Sequence, residues 1–136
     1  MENQKRHSKT MRINNIKNKM HFITIIDDLS YLYASGRLSK TSAFLGNSLN
    51  IKPIISVLNN KIEIIKKIRG TKNANEFLRN FLIEKDGINL RIGCIKNNNN
   101  YLKLKENLLN YVEFEINKII SCHVGPSCYG IFFIEK

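Results

Sequence analysis

The stretch HFITIIDDLSYLYASGRLSK (21–40) decides how the rest of the chain is read. Its first seven residues, HFITIID (21–27), form a compact apolar run rich in β-branched side chains, the composition of a buried strand. Asp27 and Asp28 are placed to cap a following turn of helix, in which Leu29, Leu32 and Tyr33 fall on one side. Gly36 is suited to the left-handed residue just past a helix end, and Arg37 emerges directly beyond that stop.

Working outward, residues 1–19 are polar and basic, with Ile13 and Ile16 the only branched aliphatics, and read as a tail leading into a short helix. Downstream, SKTSAFLGNSL (39–49) reads as another short helix, opened by Ser39 or Thr41 and closed before Pro53. PIISVL (53–58) and KIEIIKKIR (61–69) are strand-like, and Asn59-Asn60 between them tolerates the positive φ that a two-residue hairpin demands. TKNANEFLRNFLIEKDG (71–87) spaces Ala74, Phe77, Leu78, Phe81 and Leu82 as one helical stripe. NLRIGCI (89–95) reads as a strand, Asn97–Asn100 as a loop, and YLKLKENLLNYVEFEI (101–116) as a helix carrying Leu104, Leu108, Tyr111 and Val112. KIISCHV (118–124) reads as a strand, GPSCYG as a turn and IFFIEK as the last strand. Strands alternating with helices, plus one hairpin, predict an α/β domain over 20–136: a mixed β-sheet with packed helices, preceded by the basic segment 1–19.

A length of 136 residues suits one domain with one core system. The hydrophobic fraction of 43% with 24% charged residues is that of a folded chain. Twenty-two Lys+Arg against 11 Asp+Glu give +11, which favours polyanions in general. The cations are spread along a chain rich in Lys, Asn and Ile, a composition that an AT-rich genome produces without selection. Three cysteines without C-x-x-C spacing signal neither a disulfide framework nor a zinc site, which fits a reduced, cytoplasmic protein. No apolar run approaches the roughly 18 residues of a spanning helix, and MENQKRHSKTMR has no apolar segment behind it to make a secretion signal.

In open α/β sheets, ligand-handling groups gather at strand ends and in the loops beyond them. Two segments qualify: SGRLSK (35–40), and CHVGPSCYG (122–130), where His123 is expected near a strand end and Gly125, Pro126 and Gly130 shape the loop. Taken alone, Arg37 is a solvated loop cation and His123 a structural histidine. Adjacent strand positions would send Cys122 and His123 to opposite faces, which argues against a nucleophilic pair. Ser39 and Thr41 are helix caps, and the Phe77/Phe81 stripe is core packing.

These same segments resemble the DegV family. IDDLSYLYASGRLSKTSAFLGNSLNIKPIISV (26–57) is similar to the family's D-L-x-x-L-x-x-G-G-R-I-S, short helix, L-x-I-K-P-I-L segment. HVGPSCYGIFF (123–133) resembles its H-x-G-P-G-x-x-G, and IRGTKNA (68–74) the R-G-x-x-K-A that opens its middle helix. The resemblance spans about residues 13–136. It implies a bacterial fatty-acid-binding protein, some members of which present the fatty acid to a separate kinase for acyl-phosphate formation. It falls on the family's C-terminal domain, while the N-terminal domain, whose Thr and Ser hydroxyls also hold the carboxylate, has no counterpart in this sequence. Ser35 stands for the first Gly of G-G-R, and Ser127 for the last Gly of G-P-G.

The resemblance puts Arg37 and His123 at the acyl carboxylate. It places Arg69, Ser39 and Gly125 at the pocket mouth or a partner contact. It implies no catalytic residue, no metal and no cofactor beyond a long-chain fatty acid held as ligand, so the chain is not expected to be an enzyme. The energetics suit these roles. Burying a sixteen-carbon tail yields on the order of 10 kcal/mol gross at about 0.8 kcal/mol per methylene. The carboxylate behind it costs several kcal/mol unless it is paired and hydrogen-bonded. Arginine supplies a bidentate cation, and imidazole a donor in either protonation state.

Other classes have less behind them. A nucleic-acid binder has the net charge but no helix-turn-helix, RNP-like aromatic pair or Arg-rich block. A stand-alone enzyme built on His123 with Cys122 or Cys128 lacks an acid or base constellation. A truncated domain without autonomous activity would leave an apolar face uncovered, and then self-associate or meet a separately encoded N-terminal domain.

Overall fold

The computed structural model describes residues 1–38, 50–58, 60–96 and 98–136. The predicted helix 39–49, with Ser39 and Thr41, lies outside the described residues, as does Asn59 of the hairpin pair. Six strands form one sheet in the order β3-β2-β1-β6-β4-β5. They are β1 (Met20–Ile25), β2 (Ile51–Leu58), β3 (Lys61–Arg69), β4 (Gly87–Cys94), β5 (Val112–Glu115) and β6 (Tyr129–Glu135). Every pairing is antiparallel except β4 with β5, so the sheet is mixed as the sequence predicts. The helices are α1 (Glu2–Asn18), α2 (Ser30–Ala34), α3 (Thr71–Glu84), α4 (Asn99–Lys105) and α5 (Lys118–Val124).

Alternation along the strands sends side chains to two separate cores. On one face Ile23, Ile25, Ile92, Tyr129, Ile131 and Phe133 pack with Ala74 and Leu78 of α3 and Tyr101 and Leu104 of α4. Phe77 and Phe81 lie against this core, as expected of a packing stripe. On the other face Ile26, Ile55 and Cys128 pack with Leu29 and Leu32 of α2 and Val124 of α5. Only these two short helices, of 5 and 7 residues, contribute helical cover to that second core among the described residues.

Four expectations are corrected. Glu2–Asn18 form one 17-residue helix with no buried residue, not a tail with a short helix. The predicted helix 101–116 stops at Lys105, Asn110 takes φ 54°, and 112–115 pairs with β4. VEFE alternates apolar and acidic residues, a period of two that suits a strand better than a helix. KIISCHV (118–124) is helix α5 and not a strand, because Asn117 caps it by accepting the Ile119 N–H at 2.8 Å. Asn98 does the same for α4, accepting the Tyr101 N–H at 2.9 Å, so Asn98–Asn100 open a helix that the sequence reading left as loop.

Candidate functional site

The strand register places the predicted site segments at one end of the sheet. Ile25, near the carboxyl end of β1, pairs with Ile54 near the start of β2 and with Tyr129 at the start of β6. Ile51, beginning β2, pairs with Arg69, ending β3. The β1–α2 connection, the α5–β6 turn and the Arg69 terminus therefore leave the sheet at the same end.

There the two loops touch, although about 100 residues separate them. The Asp27 backbone N–H donates to Ser127 Oγ at 3.3 Å. Gly125 takes φ 78°, a left-handed conformation open to glycine, and a Cβ built on it would stand 2.7 Å from the Tyr31 ring. Helix α2 thus seats directly on the Gly125 backbone, a close approach that only a residue without a side chain permits. Asp27 also pairs with Lys52 of β2 at 2.6 Å, while Asp28 accepts the Ser30 N–H at 2.9 Å and starts the helical turn. The sequence reading assigned capping to both aspartates; the ion pair of the first depends on a strand pairing that no local pattern reports.

Arg37 follows Gly36 (φ 69°), its backbone N–H bonded to Leu32 O at 2.9 Å and its guanidinium exposed, donating to Ser35 O at 2.9 Å. Its neighbour Leu38 is buried in the same core as Val124 of α5, so the Arg37 loop and α5 share one face. His123 is half-buried in the last turn of α5, not at a strand end as the sequence suggested. The face argument for Cys122 changes accordingly: successive helical positions are about 100° apart. Cys122 is exposed and its thiol contacts Lys118 O at 3.6 Å. Arg69 is exposed at the sheet end, its carbonyl accepting from Asn73 Nδ2 at 2.9 Å. Ser39 lies outside the described residues.

Beneath these loops the second face holds an apolar hollow of about 40 Å³, lined among others by Phe22, Thr24, Ile55, Val57, Ile120 and Val124. Ile120 and Val57, 47% and 50% exposed, stand on its open side. Its one polar corner is Thr24 with Cys128, whose thiol burial pushes up to about 12 while a hydrogen bond with Thr24 pulls the other way. The Tyr33 hydroxyl, packed against this core, is buried without a hydrogen-bond partner among the described residues. A larger hollow of about 320 Å³ lies beside β5, but Glu113 and Glu115 line it and would repel an anionic head group. Its Glu113 is already engaged by Tyr101 Oη at 2.9 Å and Lys105 Nζ at 2.7 Å.

The chain as a sequence and its fold both match one family. The family model described as an uncharacterised protein of the DegV family matches residues 2–136, and the chain belongs to that family. A DegV domain-containing protein of Caldanaerobacter subterraneus subsp. tengcongensis is 33% identical over 131 residues, covering 84% of this chain and 44% of that one. The crystal structure of DegV, a fatty acid binding protein from Bacillus subtilis, superposes with a TM-score of 0.71 at 28% identity, covering 93% of this chain and 48% of that chain. The Streptococcus pneumoniae fatty acid kinase B3 protein loaded with linoleic acid gives a TM-score of 0.80, over 96% of this chain and 50% of that one. At 15% identity this last likeness speaks for the fold alone. The chain spans about half the length of the relatives it matches.

Proposed function

We propose that this chain is the fatty-acid-binding half of a DegV-type site, equivalent to the family's C-terminal domain. In this reading Arg37 and His123 meet the acyl carboxylate, and the second sheet face forms one wall of the tail seat. The observation that carries it is the contact of the two motif loops, Asp27 on Ser127 and Tyr31 on Gly125, above the apolar hollow. An apolar recess beside two joined loops, one of which leads on to Arg37 while the other follows the helix of His123, suits an amphiphile with one acidic end. The Bacillus subtilis relative, a fatty acid binding protein by name, supports the same ligand.

The size of the hollow defines what this half contributes. Ligand pockets run to about 300–1,000 Å³, well above the hollow here, so one wall is supplied and a second is needed. That wall is the N-terminal domain of the family pattern, in a longer chain or as a separate one. A complemented site would hold its acid for a fatty-acid kinase partner, with Arg69 at the mouth, and perform no chemistry of its own. Native mass spectrometry tests the reading. The chain mixed with the N-terminal half of the Bacillus subtilis DegV protein should retain palmitate one to one. Failure of the mixture to retain any C14–C18 acid, with both halves folded, would overturn it.

A further inference from the structure

Helix α1 concentrates charge that looks scattered along the sequence. Its 17 residues carry Lys5, Arg6, Lys9, Arg12 and Lys17 against the single acid Glu2, and none is buried. At about 100° per residue, all five cations fall within a sector of about 140°, while Gln4, Asn14, Asn15 and Asn18 occupy the opposite side. None of the five forms an ion pair with a carboxylate among the described residues. Lys17 bonds only the neutral Asn60 Oδ1, at 3.3 Å, which sets the helix base beside the β2–β3 turn. A folded chain ordinarily intersperses carboxylates among so many surface cations, and this face lacks them apart from Glu2 at its tip.

We propose that the cationic face of α1 docks on the phosphate backbone of double-stranded nucleic acid, independently of the lipid site. From Lys5 to Lys17 the helix runs about 18 Å, along which a duplex exposes about ten phosphates. Five unpaired cations on one side of a rod match such a charged surface. An anionic membrane fits less well. An interfacial helix turns a continuous apolar face to the lipid and its charges to water, whereas Ile13 and Ile16 lie among the cations and the opposite side, Met11 apart, is neutral and polar. The face carries no aromatic residue for stacking, so the contact is to backbone and not to bases.

Fluorescence anisotropy of the whole chain with a labelled 20-base-pair duplex tests this. Neutralising four or five phosphates gives a log–log salt slope of about −4, so affinity should fall a few-hundred-fold between 50 and 200 mM salt. The triple variant Lys5→Glu/Lys9→Glu/Arg12→Glu, checked for folding by circular dichroism, should bind at least tenfold more weakly with a shallower slope. Lys67→Glu/Lys72→Glu/Lys103→Glu, an equal charge change on exposed residues elsewhere, should stay within threefold of the parent. The proposal is overturned if the parent does not bind at 50 mM salt, or if the two triples weaken binding equally. Binding to phosphatidylglycerol vesicles in preference to duplex, lost in the α1 triple, would equally overturn it and assign the face to a membrane.

Discussion

Ser127 Oγ accepts the backbone N–H of Asp27 at 3.3 Å, joining two loops that lie 100 residues apart in the chain. The same junction is locked a few residues away by Tyr31 on Gly125. Gly125→Ala adds a methyl group against that ring and forces an L-residue to φ 78°. Together these should destabilise by about 2–3 kcal/mol, or roughly 7–10 °C in Tm. Tyr31→Ala in the same chain should recover the steric part and leave the backbone part, which thermal melts of the single and double variants will separate. Additive losses would show that the ring and Gly125 do not press on one another.

Arg37 separates stability from binding. Its guanidinium is exposed and, among the described residues, bonds only the carbonyl of Ser35, two residues back, so Arg37→Ala should change unfolding free energy by less than about 0.5 kcal/mol. In the complemented protein the same change should remove fatty-acid retention in native mass spectrometry. Unchanged retention would move the head group elsewhere.

Acid should loosen the end of the sheet opposite the site. Glu135 of β6 accepts from His21 of β1 at 2.8 Å, and this bond, with Lys85 nearby, holds its carboxyl below the usual carboxylate range. Glu113 is likewise held low, by Lys105 first and then Tyr101. A carboxyl lowered on folding stabilises above its unfolded value, near 4.5, and that contribution is lost as pH falls through the folded value. Glu135→Gln should therefore flatten the fall of stability below about pH 5 in urea titrations, leaving the slope above pH 6 unchanged. Both groups are solvent-facing, so the effect should shrink in high salt.

A buried polar chain ties the first core together. Tyr129 Oη donates to Asn75 Oδ1 at 3.0 Å, and Asn75 Nδ2 donates to the Asn100 carbonyl at 3.0 Å, linking β6, α3 and α4. Asn75 is 2% exposed. Tyr129→Phe strands its oxygen away from water and should cost about 1–3 kcal/mol by urea denaturation. The double variant Tyr129→Phe/Asn75→Leu should cost less than the sum of the two single changes if the pair acts as one unit.

How far the sequence announces all this depends on how local each cause is. β1, the β2–β3 hairpin and α3 follow from patterns within a few residues: a β-branched run, an Asn turn with Asn60 at φ 62°, an i, i+3, i+4 stripe. α5 was misread because Ile119 and Ile120 look like strand residues, yet they are 72% and 47% exposed on a helix set by its Asn117 cap. β5 is hidden because Leu104, Leu108 and Val112 keep helical spacing past the true end at Lys105, while the two-residue period of Val112–Glu115 is too short to outweigh it without the parallel pairing with β4. In the candidate site, the turns at Gly36 and Gly125, with φ 69° and 78°, follow from local glycines. The Asp27–Lys52 ion pair and the contribution of α5 to the apolar wall do not, since both arise from strands and helices meeting across the sheet.

That wall supplies the sharpest check on the lipid reading, through two neighbouring isoleucines with different surroundings. Ile120 lines the hollow with Phe22, Val57 and Val124, whereas Ile119 is 72% exposed and lines none of it. A carboxylate at position 120 would have to be desolvated beside the acyl methylenes, a cost of several kcal/mol that water spares it at position 119. In the complemented protein Ile120→Asp should weaken palmitate binding at least tenfold, and Ile119→Asp should stay within about twofold of the parent. Because both side chains are largely exposed, each variant should keep its Tm within a few degrees, which separates lost binding from lost folding. Equal effects from the two substitutions would mean that the acyl chain does not run along this face of the sheet.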